Sequence, residues 1–205
     1  MKVKEEVQYI HSPQPRWLIE TAFGIMILSA ALSPTPVTSY MESHCAWLKA
    51  VINTVGDVIF YWGLYRGMQT LYKPLRFGWL SIMGLVVAGF ITTLLLSVPQ
   101  IHATMEVANV AVAALLPLAY IPMGVALILY YRGALAYVGV WMIVRCVVAN
   151  IMPVVWVLLS VPDHFLTLDI LYPLTHIAYA YSMRRVLVPC APKLWQYAVE
   201  LLWYG

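Results

Sequence analysis

Long apolar runs separated by short polar segments dominate the chain. A transmembrane helix needs about 20 mostly apolar residues, and six stretches meet that requirement. They cover residues 17–33, 46–65, 77–98, 105–131, 134–161 and 165–183. Pro117, Pro122 and Pro153 lie inside the two longest stretches, where we expect kinks because proline removes a backbone donor. The pattern predicts an all-α polytopic membrane protein with six transmembrane helices.

Basic residues lie almost entirely on one side of this arrangement. Ten of the twelve lysines and arginines fall in ends and loops assigned to the same side, and the three opposite loops contain none. The ten are Lys2, Lys4, Arg16, Arg66, Lys73, Arg76, Arg132, Arg184, Arg185 and Lys193. Because cytoplasmic loops are enriched in lysine and arginine, both termini are predicted to be cytoplasmic. We expect an integral protein of the plasma (inner) membrane.

Little of the chain falls outside the predicted bundle. Residues 1–16 form a predicted cytoplasmic N-terminal segment, residues 17–184 the six-helix transmembrane bundle, and residues 185–205 a cytoplasmic tail. The tail alternates apolar residues such as Trp195 with polar residues such as Glu200. This amphipathic pattern favours a short helix that lies in the membrane interface.

The three stretches predicted to run outward end in similar sequences. Each ends in a serine followed within two residues by a proline, at Ser33, Ser97 and Ser160, with nearly equal spacing. A pseudo-threefold repeat of three helical hairpins is consistent with this regularity. Convergence explains it equally well, since serine and proline are common at helix ends.

Composition agrees with the spans and excludes several classes of protein. Hydrophobic residues make up 62% of the chain and charged residues 10%, whereas soluble domains have about 45–50% and about 25%. A soluble dinucleotide-binding enzyme and a disordered scaffold are therefore excluded. The formal net charge of +3 does not indicate nucleic acid as a partner, because the basic residues are not gathered on one face.

Three titratable residues lie near the middle of predicted spans. Asp57, Arg145 and His176 each lie about eleven residues into a different stretch, or about 16 Å from its end at 1.5 Å per residue. An unpaired charge at the bilayer centre costs about 2.5–3.5 kcal/mol. We therefore expect the three side chains to meet inside the bundle, with Asn53 and Asn150 about one turn away as hydrogen-bonding partners.

This polar set has two interpretations. In the functional one it is a midplane binding or relay site, where Arg145 binds an anionic group or neutralises Asp57 and where His176 titrates. In the structural one a buried Asp57–Arg145 pair fixes helix packing, and His176 is hydrogen-bonded to a neighbour. Intramembrane ionisable residues favour the functional interpretation.

Three histidines fall in the predicted outer loops: His44, His102 and His164. Three imidazoles with an open fourth position are typical of a catalytic zinc site. No spacing motif such as HExxH accompanies them, and single interfacial histidines need no ligand. They remain candidate metal ligands, and no other cofactor is expected.

Aromatic residues divide into two groups. Those at span ends, such as Tyr61 and Trp62, are assigned to the aromatic belts of the membrane interface. The deeper ones line either a pocket or the bundle core, and we favour the core. They are Tyr120, Trp141, Trp156, Tyr172 and Tyr179.

Three functions are consistent with these features. The favoured one is binding or transport of a small solute or ion through the midplane polar site. The second is an intramembrane enzyme that acts on a lipid at the outer face, with the three outer histidines, Glu106 and Asp169 as candidates. The third is a structural or regulatory subunit that associates with another membrane protein or with copies of itself. All three place the chain in a lipid bilayer.

Overall fold

The computed structural model describes residues 5–10, 12, 14–32, 46–68, 73–96, 98–152, 155 and 170–187, and almost all of these described residues are helical. Six α-helices lie within these residues. They are α1 (Arg16–Leu32), α2 (Ala46–Gly67), α3 (Lys73–Leu95), α4 (His102–Tyr130), α5 (Ala134–Cys146) and α6 (Tyr172–Leu187). A 3-10 turn, Pro99–Ile101, leads into α4, and a π-helical segment, Val147–Ile151, continues α5.

Three of the described helical stretches are long and apolar enough to cross a membrane. They are Leu75–Leu95, Pro99–Tyr130 and Ala134–Ile151. Their surfaces carry large apolar side chains, with Phe77 62%, Val107 71% and Leu118 70% exposed. Exposed apolar surface on this scale is typical of a membrane or protein-interaction surface. The all-α fold and the membrane character predicted from the sequence are thus supported by the structure.

The helices pack as a ring in chain order. Each helix contacts the next, and α6 closes the ring against α1. Contacts between helix ends show that neighbouring helices run antiparallel. Arg76 at the start of α3 donates to Tyr65 at the end of α2 (2.7 Å). Arg184 at the end of α6 likewise donates to Glu20 at the start of α1, at 2.8 and 2.9 Å. We call the end with these arginines the arginine end, and the opposite end, where α4 begins, the His102 end.

Helices α4 and α5 approach each other closely through two glycines. A Cβ atom placed on Gly139 would lie 2.6 Å from the carbonyl oxygen of Gly124, and one on Gly124 would lie 2.8 Å from the carbonyl oxygen of Gly139. Neither backbone can yield without moving its helix. Small residues thus let the two backbones pack directly, as is common between helices in membranes.

The N-terminal segment lies against the arginine end of the ring. Its strand β1 (Glu5–Glu6) pairs in parallel with β2 (Tyr131–Arg132), which follows α4. The amide of Ile10 donates to the carbonyl of Val186 in α6 (2.9 Å). The buried Gln14 then donates from Nε2 to the carbonyl of Ile59 in α2 (3.1 Å). Residues 1–16 were predicted from the sequence to form a separate segment, but the described part of this segment packs against one end of the ring.

Several helix ends differ from their predicted positions. Helix α3 occupies Lys73–Leu95 rather than 77–98, and α6 continues to Leu187 rather than ending at 183. The extension of α6 carries Arg184, whose ion pair with Glu20 is made from a helical backbone. Pro153, where a kink was expected, lies outside the described residues. The π-helical segment that precedes it interrupts the regular hydrogen-bond ladder.

Other predictions fall on residues outside the part of the chain that the structure describes. These are the three serines of the suggested repeat, the interfacial helix beyond residue 187, and the outer histidines His44 and His164. The repeat and the tail helix therefore stay predictions.

Candidate functional site

A buried ion pair joins opposite sides of the ring. The guanidinium of Arg145 in α5 donates to both carboxylate oxygens of Asp57 in α2, from Nη1 to Oδ1 at 3.3 Å and from Nη2 to Oδ2 at 3.2 Å. The two side chains are only 13% and 8% exposed. The two-pronged geometry fixes the plane of the guanidinium as well as its distance. The structure thus brings together Asp57 and Arg145, as the sequence led us to expect.

A cluster of tyrosines surrounds the pair on the side of the arginine end. The hydroxyl of Tyr61 accepts from Arg145 Nη1 (3.4 Å) and from the hydroxyl of Tyr179 (3.2 Å), and it also shares a hydrogen bond with the hydroxyl of Tyr120. The Arg145 guanidinium lies 5.0 Å from the centre of the Tyr179 ring. We call Tyr61, Tyr120 and Tyr179 the tyrosine cluster.

Sequence reasoning assigned Tyr61 to an aromatic belt, and that assignment is wrong. Its side chain is fully buried, and its ring stacks on the buried Trp79 at 5.7 Å. Tyr61 follows Asp57 by four residues, so both lie on the same face of α2. That spacing would have identified Tyr61 as a neighbour of the charge. Trp62, on the outer face, is 42% exposed, in keeping with the belt assignment.

His176 is buried close to the pair without a hydrogen bond to either member. The residue is 2% exposed, and neither ring nitrogen has a hydrogen-bond partner among the described residues. Its ring lies 5.7 Å from that of Tyr172. The predicted group of three titratable residues therefore consists of a direct ion pair and a separate, buried imidazole.

The structure describes the side chain of only one of the two asparagines predicted to bond near the pair. Asn150 donates from Nδ2 to the carbonyl of Cys146 in the same helix (3.1 Å). The side chain of Asn53 lies outside the described part of the structure, so its role stays a prediction.

A cavity of about 200 Å³ lies directly beside the ion pair. It lies on the His102 side of the pair, because Ala149 and Asn150 follow Arg145 along α5 in that direction. Its walls come from five of the ring helices, α2 to α6, and from the π-helical segment. The lining residues are Asp57, Val86, Leu116, Tyr120, Arg145, Cys146, Ala149, Asn150 and Tyr172.

The cavity has the size and chemistry of a small-solute site. A cavity of about 150 Å³ accommodates a benzene molecule, whereas sites for drug-sized ligands measure about 300–1,000 Å³. The cavity's polar lining residues are Asp57, Arg145, Asn150 and Tyr120, and the remaining wall is mainly apolar. The paired charges of Asp57 and Arg145 cancel, so the site suits a small polar molecule with both donors and acceptors.

The candidate metal site of the outer histidines stays a prediction. His102 is exposed at the start of α4, and its Nδ1 lies 2.7 Å from the carbonyl oxygen of Leu96. Within the described ranges, no group of three histidine, cysteine, aspartate or glutamate residues is placed to hold a metal ion. His44 and His164 lie outside those ranges.

Comparison with known proteins finds no matching family model, no matching curated protein and no matching solved structure. The geometry and the sequence are therefore the basis for a function.

Proposed function

We propose that the chain is an integral membrane protein of six transmembrane helices that binds a small polar solute in the cavity beside Asp57 and Arg145, as the binding step of uptake or transport. The observation that carries this proposal is the cavity of about 200 Å³ whose wall includes a buried, directly paired arginine and aspartate. The solute is expected to enter from the His102 end.

The membrane placement rests on the distribution of apolar and basic residues. Three described helices have the length and composition of membrane spans, and the other three pack with them in one ring. Under the positive-inside rule the arginine end is cytoplasmic, with both termini, and the ring consists of three helical hairpins.

The presence of a charged pair in the cavity wall supports a functional role. Replacing a buried ion pair with apolar side chains of similar volume is often neutral or stabilising. Packing alone therefore gives little reason to place Asp57 and Arg145 in the centre of an apolar ring. The adjoining π-helical segment supports the same conclusion, because π-helical turns occur frequently at functional sites.

The tyrosine cluster has a consequence for transport. Tyr61, Tyr120 and Tyr179 fill the interior between the ion pair and the arginine end, where Trp79 packs behind them. A solute that reached the cavity would cross to the arginine end only if these hydroxyl contacts separated. Binding is therefore the step that this conformation supports, and transport requires a second conformation.

A structural role is the second candidate, and the direct contact between the two charges favours it. A two-pronged ion pair across the ring satisfies both groups without a ligand. On this hypothesis the chain is a subunit of a larger membrane assembly, and the cavity has no specific solute.

Solute-dependent stabilisation of the purified protein separates the two candidates. We would measure the melting temperature with a panel of small amides, amines, carboxylic acids and amino acids at high millimolar concentration. A ligand present at 100 times its Kd stabilises the folded state by about 2.7 kcal/mol. Ala149→Leu fills the cavity, whereas Ala113→Leu makes the same change on the exposed surface of α4.

Solute binding predicts that at least one chemical class stabilises the wild type and Ala113→Leu but not Ala149→Leu. If no class has an effect, or if Ala149→Leu retains it, the structural hypothesis is favoured.

A further inference from the structure

A second depression lies on the outer surface of the ring, between α5 and α6 near the arginine end. Its volume is about 210 Å³, and its lining residues include Tyr137, Trp141, Ala178, Tyr181, Ser182 and Arg185. Tyr137 and Tyr181 are 58% and 53% exposed, so the depression opens outward rather than into the ring. We call it the α5–α6 groove.

The two adjacent arginines at the end of α6 have different environments. Arg184 donates two hydrogen bonds to Glu20 at 2.8 and 2.9 Å, so its charge is neutralised within the protein. Arg185 lines the groove, is exposed, and makes no hydrogen bond or ion pair with any other described residue. A guanidinium with no partner among the described residues therefore lies at one end of a groove that is otherwise mainly apolar.

We propose that the α5–α6 groove binds an anionic phospholipid. The guanidinium of Arg185 would pair with the headgroup phosphate, since its planar fork matches phosphate oxygens. Part of one acyl chain would lie between Tyr137 and Trp141. This arrangement follows the ordinary order of a membrane interface, in which arginine and tyrosine meet the headgroups and apolar side chains meet the acyl chains.

The occupant is specified by charge complementarity and by location. Basic pockets between transmembrane helices on the cytoplasmic side bind acidic headgroups. The arginine end carries most of the basic residues, and Ala134–Ile151 has the length and composition of a span. The proposal depends on that placement in the membrane and not on any solute in the central cavity.

Native mass spectrometry of the full chain in detergent tests the proposal directly. The protein is titrated with dioleoyl phosphatidylglycerol or with dioleoyl phosphatidylcholine, which differ only in the headgroup. The wild type should bind phosphatidylglycerol more tightly. Because one arginine near a membrane surface contributes about 1 kcal/mol, Arg185→Gln should weaken that binding about five-fold and abolish the preference.

Three further variants make the result specific. Arg66→Gln removes an exposed arginine at the same end but outside the groove, and should keep the preference. Arg185→Lys keeps the charge without the fork, and should keep part of it. Ala178→Phe fills the groove, and should remove one bound lipid of either type.

Two results would overturn the proposal. One is unchanged phosphatidylglycerol binding by Arg185→Gln, with a melting temperature equal to that of the wild type. The other is a wild type that binds both lipids equally. The second result is expected if a second copy of the chain or its own C-terminal residues cover the groove, and a dimer peak in the spectrum would identify the former.

Discussion

Removing one member of the central ion pair should destabilise the protein much more than removing both. Asp57→Asn leaves the guanidinium of Arg145 without its counter-charge, and Arg145→Gln leaves a lone carboxylate in the same place. In the double variant both side chains are neutral amides. The interior then contains polar groups that can bond to each other, but no unpaired charge.

The magnitude follows from burial. With side chains 13% and 8% exposed, the pair belongs to the buried class, in which loss of one partner costs about 3–5 kcal/mol. The double variant avoids most of that cost. We therefore expect a coupling free energy of at least about 2 kcal/mol in a double-mutant cycle.

The ion pair between Glu20 and Arg184 provides a matched control within the same chain. It also has two hydrogen bonds, but its side chains are 33% and 31% exposed. Exposed pairs contribute about 0–1 kcal/mol, so the equivalent cycle with Glu20→Gln and Arg184→Gln should give a coupling in that range.

The assay is reversible unfolding in mixed micelles, followed by tryptophan fluorescence for the wild type and the six variants of the two cycles. A coupling at the central pair no larger than at the peripheral pair would refute the argument. It would mean that water or lipid headgroups reach the centre of the ring and screen Asp57 from Arg145.

Two further predictions concern packing and the N-terminal segment. Gly139→Ala should lower the melting temperature by several degrees, because the added Cβ meets a backbone oxygen of α4, whereas Gly84→Ala, which meets nothing within 4 Å, should be neutral or stabilising. Gln14→Ala removes the hydrogen bond to α2, worth about 1 kcal/mol, and should speed hydrogen exchange at the amide of Ile10. Gln8→Ala, in an exposed part of the same segment, should leave that exchange rate unchanged. If Gly139→Ala and Gly84→Ala changed the melting temperature equally, the close approach of α4 and α5 would be contradicted. If Gln14→Ala and Gln8→Ala changed the exchange rate equally, the role of the Gln14 hydrogen bond would be contradicted.

Helix positions were largely predictable from the sequence. Each depends on a run of apolar residues and on the polar residues that end it, and these are local properties. The errors occur at helix ends, where contacts with distant residues decide. Helix α6 continues as far as Leu187, past the residue that pairs with α1, and the N-terminal segment is held by bonds to α2 and α6.

The candidate site was predictable only in part. The depth of Asp57 and Arg145 follows from counting residues along two apolar runs, because a helix rises 1.5 Å per residue. The same count places His176 at that depth, but it does not show that the imidazole has no hydrogen bond to the pair. Tyr61 was missed because its place near the end of an apolar run suggested the membrane interface.

The sequence by itself determined that the chain forms apolar helices, where they lie, and which residues carry charge at their centres. These features depend on composition and helical rise, which act within a single segment. The tertiary structure decided which side chains meet, because contact depends on how each helix is rotated in the ring. Arg145 and Asp57 are 88 positions apart, and only the packing of the whole ring brings them into one ion pair beside a cavity.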